Sequence, residues 1–415
     1  MYTAVEKIFQ RKTGTAAKAN DIVIVDVDGC MVHDLNGPSV VRNFNKIAET
    51  VKNPAHHLVA LDHQAPSPNV NVSNNHVMLR DFAHKHGIDL VDVMQGVCHQ
   101  VMMENGKVLP GSIVLGTDSH SCMYGALNAF STGVGAAEAA VILASGQCWF
   151  RIPETIRVEF TGILPEKVTG KDIILEIIRI LGEAGANYRC LEFGGSGVAQ
   201  LSFDTRTTIS NMAIECGAKG AIMPFDDVTK QWLDAHGISG YEPVEADAGA
   251  VYCRRLDINL SDLKPVVAAP PGIDNVVPAD SLHDIKVDQV VIGSCTNGRY
   301  EDFAAAAAVL KGRRIAPGVR LLAIPASLEV QQKMIETGVY AELAAAGASL
   351  FPPTCGPCAG LHCGLLGDGE VTVTTTNRNG AGRMGSKLAQ VYVASAVTAA
   401  YSALNGYISC EEKQL

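Results

Sequence analysis

Residues 354–358 read "TCGPC", inside the longer stretch "PPTCGPCAGLHCGLLGDGE" at 352–370. Cys-Gly-Pro-Cys is also the redox centre of cytosolic dithiol oxidoreductases. Read as a dithiol, Cys355 and Cys358 demand a thioredoxin-like fold, with a helix opening at the motif and several strands after it. Read as metal ligands, they demand further donors elsewhere. The sequence downstream is broken by glycines and too little chain follows, so the dithiol fold is set aside. A closed four-cysteine zinc site has no support, because the chain has no second C-x-x-C.

The best third sulfur is Cys295 in "GSCTNG", another Gly-flanked loop at a strand end. Cys363 is a further candidate, though a buried structural thiol accounts for it as well. Three thiolates on loops suit an iron–sulfur cluster better than zinc. A cubane held by three cysteines leaves one iron without a protein ligand, able to act as a Lewis acid on a substrate oxygen.

Outward from these loops, β-branched runs alternate with helical patterns along the whole chain. "DIVIVDVDG" (21–29), "HHLVALDHQ" (56–64), "SIVLGTDSHS" (112–121) and "ETIRVEFTG" (154–162) read as strands, and "GKDIILEIIRILGEAG" (170–185) as an amphipathic helix. In the last third, "VDQVVIGSCTNGR" and "GEVTVTTTNRNGAGR" read as strands entering polar loops, with a long helix from Leu328 between them. This alternation predicts an α/β fold with mostly parallel sheets. "KPVVAAPPGIDNVVP" (264–278) is Pro-rich and reads as a linker or domain crossing. At this length two or three α/β domains are expected, falling at 1–155, 156–270 and 271–415 if three, the last containing Cys295, Cys355, Cys358 and an arginine loop. In open α/β sheets ligands bind beyond the carboxyl ends of strands. "LDHQ", "GTDSHS", "GSCTNGR" and "TTTNRNGAGR" stand at four such ends, and together they read as one convergent site.

Composition narrows the function. The chain has 415 residues, 47% of them hydrophobic and 18% charged, with 40 glycines and a net charge of −10. That is an ordered, enzyme-like profile. An acidic chain without basic runs is a poor partner for nucleic acid or anionic membranes. The start, "MYTAVEKIFQRKTG", reads as a mixed-charge helix rather than a signal peptide, and "VYVASAVTAAYSAL" is too short to span a bilayer. Twelve scattered cysteines fit reduced, buried thiols and a cytoplasmic location.

Seven motifs in matching order resemble the aconitase superfamily, in particular the large subunits of two-subunit hydro-lyases such as isopropylmalate isomerase and homoaconitase. They are "LDH" (61–63), "HQ" (99–100), "GTDSHS" (116–121), "SNMAIECGA" (210–218), "GSCTNGR" (293–299), "PPTCGPC" (352–358) and "NRNGAGR" (377–383). The resemblance implies three α/β domains around a central cleft, lacking the swivel domain. It implies a [4Fe-4S] cluster held by Cys295, Cys355 and Cys358, and reversible loss of water from a hydroxy-di- or tricarboxylate.

Elimination of water needs a proton removed beside a carboxylate and a proton delivered to the departing hydroxyl. By resemblance His63, next to Asp62, is the acid for the hydroxyl. His99, Asp118, His120 and Glu215 match family positions forming His–carboxylate pairs. Ser119 and Asn211 would hydrogen-bond substrate or cluster sulfur. Arg378 and Arg383, in a Gly-rich loop, can hold carboxylates in bidentate fashion.

In single-chain relatives a swivelling domain supplies the base that takes the carbon-bound proton. This chain stops at "CEEKQL", so a small-subunit partner is expected to supply it. Isopropylmalate is the default substrate, making the expected enzyme a 3-isopropylmalate dehydratase large subunit of leucine biosynthesis. Homoaconitate, dimethylmalate, methylmalate and maleate are alternatives. One departure bears on the choice: Gly380 stands where the family usually carries an aromatic residue, which removes a packing anchor. The reading of another class is a cluster-sensing RNA-binding protein, which the net charge disfavours.

Overall fold

The computed structural model describes residues 1–412. Three parallel or largely parallel sheets carry the chain, with helices packed on them. The first sheet is parallel throughout, in the order Asp89–Val91, His57–Ala60, Gly29–His33, Ile113–Gly116, Phe130–Gly133. Its central strand, "GCMVH", is buried at every position, as expected where both faces are covered. The sequence reading, a strand in 21–29 running into a loop, does not separate this strand from the one before it. Ile22–Asp26 instead pairs antiparallel with Gln147–Arg151 in a separate two-stranded ribbon, and the sheet strand begins only at Gly29.

The second sheet is also all parallel: Gly220–Ile222, Arg189–Gly194, Glu154–Thr161, Arg254–Asn259. The third orders its parallel strands Gln390–Ala394, Val371–Thr374, Gln289–Gly293, Arg320–Ile324, Ser349–Leu350. The stretch 264–278 runs from the second sheet to the third, but it is not a bare linker: Val266–Ala268 and Val276–Pro278 form an antiparallel hairpin that extends this sheet from Gln390–Ala394. Its prolines lie at the hairpin tip and strand end, where no ladder donor is needed. The long helix from Leu328 is two helices, Leu328–Glu336 and Val339–Ala346, interrupted at Gly338 (φ 80°).

The first and third sheets share one topology. In each, the first parallel strand lies centrally with its second and third neighbours on one side and its fourth and fifth on the other. The direction of winding therefore reverses beside Gly29–His33 and beside Gln289–Gly293. Such switch points leave a crevice at the strand carboxyl ends. Asp118, Cys295 and Asn377 all leave strands that border these two crevices.

Candidate active site

The loops converge on a cavity of about 720 Å³ lined by His63, His99, His120, the three cysteines and Arg383, among others. Its organising group is Asp118. The carboxylate caps the 3-10 helix Ser119–Leu127, accepting the His120 N–H at 2.8 Å. Oδ1 also accepts His99 Nε2 at 2.9 Å and His120 Nδ1 at 3.2 Å, while Oδ2 faces His63 Nε2 at 3.6 Å. Burial opposes its ionisation, but the three imidazoles overcome that and hold Asp118 well below the ordinary carboxylate range.

His63 is built from the other side. Its Nδ1 donates to Asp62 Oδ1 at 2.9 Å, and Asp62 Oδ2 accepts the Cys98 N–H at 2.8 Å. Burial works against the imidazolium, yet Asp62 and Asp118 raise His63 well above its usual value. For Asp62 burial pushes upward, but the charge and hydrogen bond of His63 bring it down to about 2. Both carboxylates thus favour the imidazolium form of this buried ring, which faces the cavity.

His120 Nε2 donates to Glu215 Oε1 at 2.7 Å, and Arg378 Nε donates to both Glu215 oxygens at 2.8 and 2.9 Å. Arg378 Nη2 reaches Ser119 Oγ at 3.2 Å. Burial lowers His120, but Asp118 and Glu215 outweigh it and raise it to about 9. Arg378 is therefore already ion-paired. Arg383 is not: its buried Nε has no hydrogen-bond partner among the described residues.

Cys295, Cys355 and Cys358 are each 4% exposed and line the same cavity. Cys295 follows Gly293 (φ 151°) and Ser294 (φ 73°); a Cβ at Gly293 would collide with Ile324 O. This positive-φ pair turns the chain sharply enough to aim the thiol back at the cavity. Burial favours the neutral thiol, but His99 wins and brings Cys295 down to about 6. A hydrogen bond from Cys355 holds Cys358 well below the ordinary thiol value. The Asn377 side chain lies against Cys358 Sγ at 3.4 Å and Cys295 Sγ at 3.8 Å.

Of the residues singled out from the sequence, Asn211 lies behind the wall rather than on it. Its Oδ1 accepts Asn377 Nδ2 at 2.7 Å and Thr296 Oγ1 at 3.0 Å, so it orients the residue that touches sulfur. Among the cavity residues that sequence reasoning misses, two touch groups already described. One is Asn377, which stands in "NRN" with no part assigned to it. The other is His33, which stacks on His63 with ring centroids 4.3 Å apart. His33 donates to Thr117 O and accepts the Leu35 N–H. Burial, together with the charge of His63, lowers it to about 4. Its signal is present in "MVHDLN", where two polar residues end an apolar run.

Among the described residues, two donor triads have all their atoms within 4.8 Å of one another: His33–Asp34–His63 and Asp62–His63–Cys98. Their atoms are already engaged. Asp34 accepts the N–H groups of His63 and Gln64 and the His76 ring. Neither triad contains a cysteine of the trio.

A model of the aconitase family (aconitate hydratase) matches residues 6–283 and 275–406. The 3-isopropylmalate dehydratase large subunit 1 of Methanopyrus kandleri is 46% identical over 409 residues, covering 98% of each chain. Large subunit 1 of the same enzyme from Thermotoga maritima is 43% identical over 411 residues, again covering 98% of each. The holo-form aconitase X of Thermococcus kodakaraensis superposes with a TM-score of 0.52 over 90% of this chain and 89% of that one, at 12% identity, a likeness of fold. A family model spanning nearly the whole length, and relatives sharing more than two-fifths of their residues end to end, place this chain in the aconitase family.

Proposed function

We propose that the chain is the cluster-binding large subunit of a hydro-lyase acting on a hydroxy-dicarboxylate, with 3-isopropylmalate as substrate. The observation that carries this reading is a single cavity joining three sulfurs, a His63 held between two carboxylates and an uncommitted Arg383. The names of the relatives supply the substrate.

Cys295, Cys355 and Cys358 would hold a [4Fe-4S] cluster, and the site fits it: soft donors, buried, two of them already held toward the thiolate. When bound, the cluster supplies an iron lacking a protein ligand as Lewis acid for a substrate oxygen. The chain's own residues do the rest. His63, tied at Nδ1 to Asp62, presents its Nε2 proton and delivers it to the departing hydroxyl. Asp118 keeps His99 and His120 charged and oriented beside the sulfurs. Arg383 takes one substrate carboxylate, and Arg378 offers its outer edge to the other while Glu215 fixes its plane. No group of this chain is assigned the carbon-bound proton; a small subunit brings that base.

The domains that go with this reading follow the sheets, near the expected 1–155, 156–270 and 271–415, with residues 413–415 outside those described. Two changes suit the pairing better: the strand from Glu154 goes to the second part and the 266–278 hairpin to the third. Among the described residues no helix is long and apolar enough to cross a membrane, and a cytoplasmic location suits this biosynthetic role.

The test is anaerobic reconstitution of the chain with a small subunit of this enzyme type. Alkene formation is then measured from 3-isopropylmalate, dimethylmalate and methylmalate, and hydration is followed with homoaconitate and maleate, which already carry the double bond. The expected outcome is the highest kcat/KM with 3-isopropylmalate. Preference for another diacid reassigns the substrate, and absence of iron and sulfide from protected protein overturns the reading.

A further inference from the structure

Lys171 is 0% exposed, in the first turn of the helix Gly170–Leu181. Its ammonium donates to Thr375 O at 2.9 Å and Thr376 O at 3.0 Å, and lies 3.0 Å from Met212 Sδ. Among the described residues no carboxylate ion-pairs with it. An interior ammonium without a counter-charge is costly, and a methionine would fill similar space without that cost. The fold alone therefore gives no reason for a charge here.

The position of the charge supplies one. Thr375 and Thr376 lead directly into Asn377, whose side chain meets Cys358 and Cys295. Thr375 Oγ1 in turn accepts Gly293 N–H at 2.9 Å and donates to Gly293 O at 3.2 Å, two residues before Cys295. Lys171 thus sits under the crossing of the two switch-point loops of the third sheet. Burial pushes its ammonium down to about 7, and the groups pulling the other way are Asp302, Cys295 and Cys358. Asp302 is the strongest of these; it is hydrogen-bonded by Asn297 and by the backbone of Arg299 and makes no ion pair with the ammonium, and the two sulfurs are the partners on the cavity side.

We propose that Lys171 is a positioning residue for the cluster: its ammonium clamps the Thr375–Thr376 turn beneath Asn377 and balances the negative charge of the sulfur-rich group above it. This rests on the iron–sulfur reading. Outer-shell partners of metal ligands commonly change affinity 10–100-fold, and a nearby positive charge raises a cluster's reduction potential.

The experiment compares wild type with Lys171→Gln, which keeps donors for the carbonyls but not the charge, Lys171→Met and Lys171→Arg. All are reconstituted anaerobically with iron and sulfide. Iron loss to a chelator should be about tenfold faster in the Gln and Met variants, and their midpoint potentials should move negative. Lys171→Arg should recover most of both. Wild-type retention and potential in Lys171→Gln would overturn the proposal. So would failure of the metal-free Gln and Met variants to fold while metal-free wild type folds, because the ammonium would then serve the fold itself. If wild type takes up no cluster, the iron–sulfur reading fails first, an outcome distinct from either.

Discussion

Single side chains at this site are defined by what already holds them. Cys295, Cys355 and Cys358 face the cavity, while Cys363 is half-buried off its wall, its thiol pushed up to about 11 by burial. Serine at any of the first three should abolish reconstituted visible absorbance and reduce bound iron, whereas Cys363→Ser should retain both. Iron analysis after desalting decides it. The His120–Glu215 pair makes a second residue-level prediction. His120 is raised to about 9 in the folded protein, against about 6.5 when unfolded. Its contribution is complete below about pH 6.5 and is lost as pH rises through 9. Glu215 is lowered, so its contribution is lost in the opposite sense, as pH falls below the ordinary carboxylate range. The Tm of the metal-free protein should therefore fall between pH 6.5 and 9, and His120→Gln should flatten that limb. The share of His120 in that limb is on the order of 3 kcal/mol at most, His63 and His99 being raised as well. An unchanged slope in the variant would exclude the pair as a source of it.

At the scale of elements, the 3-10 helix Ser119–Leu127 decides where Asp118 and His120 point. It packs against strand Gly220–Ile222 so closely that a Cβ at Gly125 would fall on Ala221 O, and Met223 N–H donates to Gly125 O at 2.9 Å. Gly125→Ala should cost about 3 kcal/mol, the upper end of overpacking, because backbone rather than a side chain must yield. Denaturant melts measure it, and a loss below about 0.5 kcal/mol would show that the helix shifts freely. Gly380 is the opposite case. It is exposed, and a Cβ added there would meet nothing within 4 Å, so the backbone does not demand glycine. These elements also show what the sequence could and could not carry. Strand ends bearing His, Asp, Cys and Arg are legible because polar residues interrupt apolar runs. The split of 21–33 into ribbon and sheet strand is not, because its partner Gln147–Arg151, distant along the chain, fixes it. The hairpin at 266–278 is hidden for the same reason: prolines mark extended chain but not its neighbour. Asn211 reads as a contact residue in the sequence and stands one layer back, a distinction that only packing makes.

For the whole molecule, the problem is to keep groups from different sheets in one register around the cavity. His63 follows a strand of the first sheet, and the CGPC loop follows a strand of the third. Thr354 joins them. Fully buried, its hydroxyl meets Asp62 O at 2.8 Å and Ala65 O at 2.6 Å, and the adjacent Cys355 N–H donates to Asp62 O at 3.0 Å. Cys355 and His63 are thereby fixed to the same peptide. Thr354→Val preserves shape and removes the hydroxyl, leaving Asp62 O its bond from Cys355 but depriving Ala65 O of this donor. The stability cost should be about 1–3 kcal/mol. A larger effect is expected on catalysis, because an error of about 1 Å between reacting groups costs on the order of 100-fold in rate. If the clasp sets register, Thr354→Val will keep its iron and its KM while kcat falls by more than the stability change explains. If kcat is retained at wild-type level in folded, loaded protein, the two sheets are held in place by other contacts and Thr354 serves stability alone.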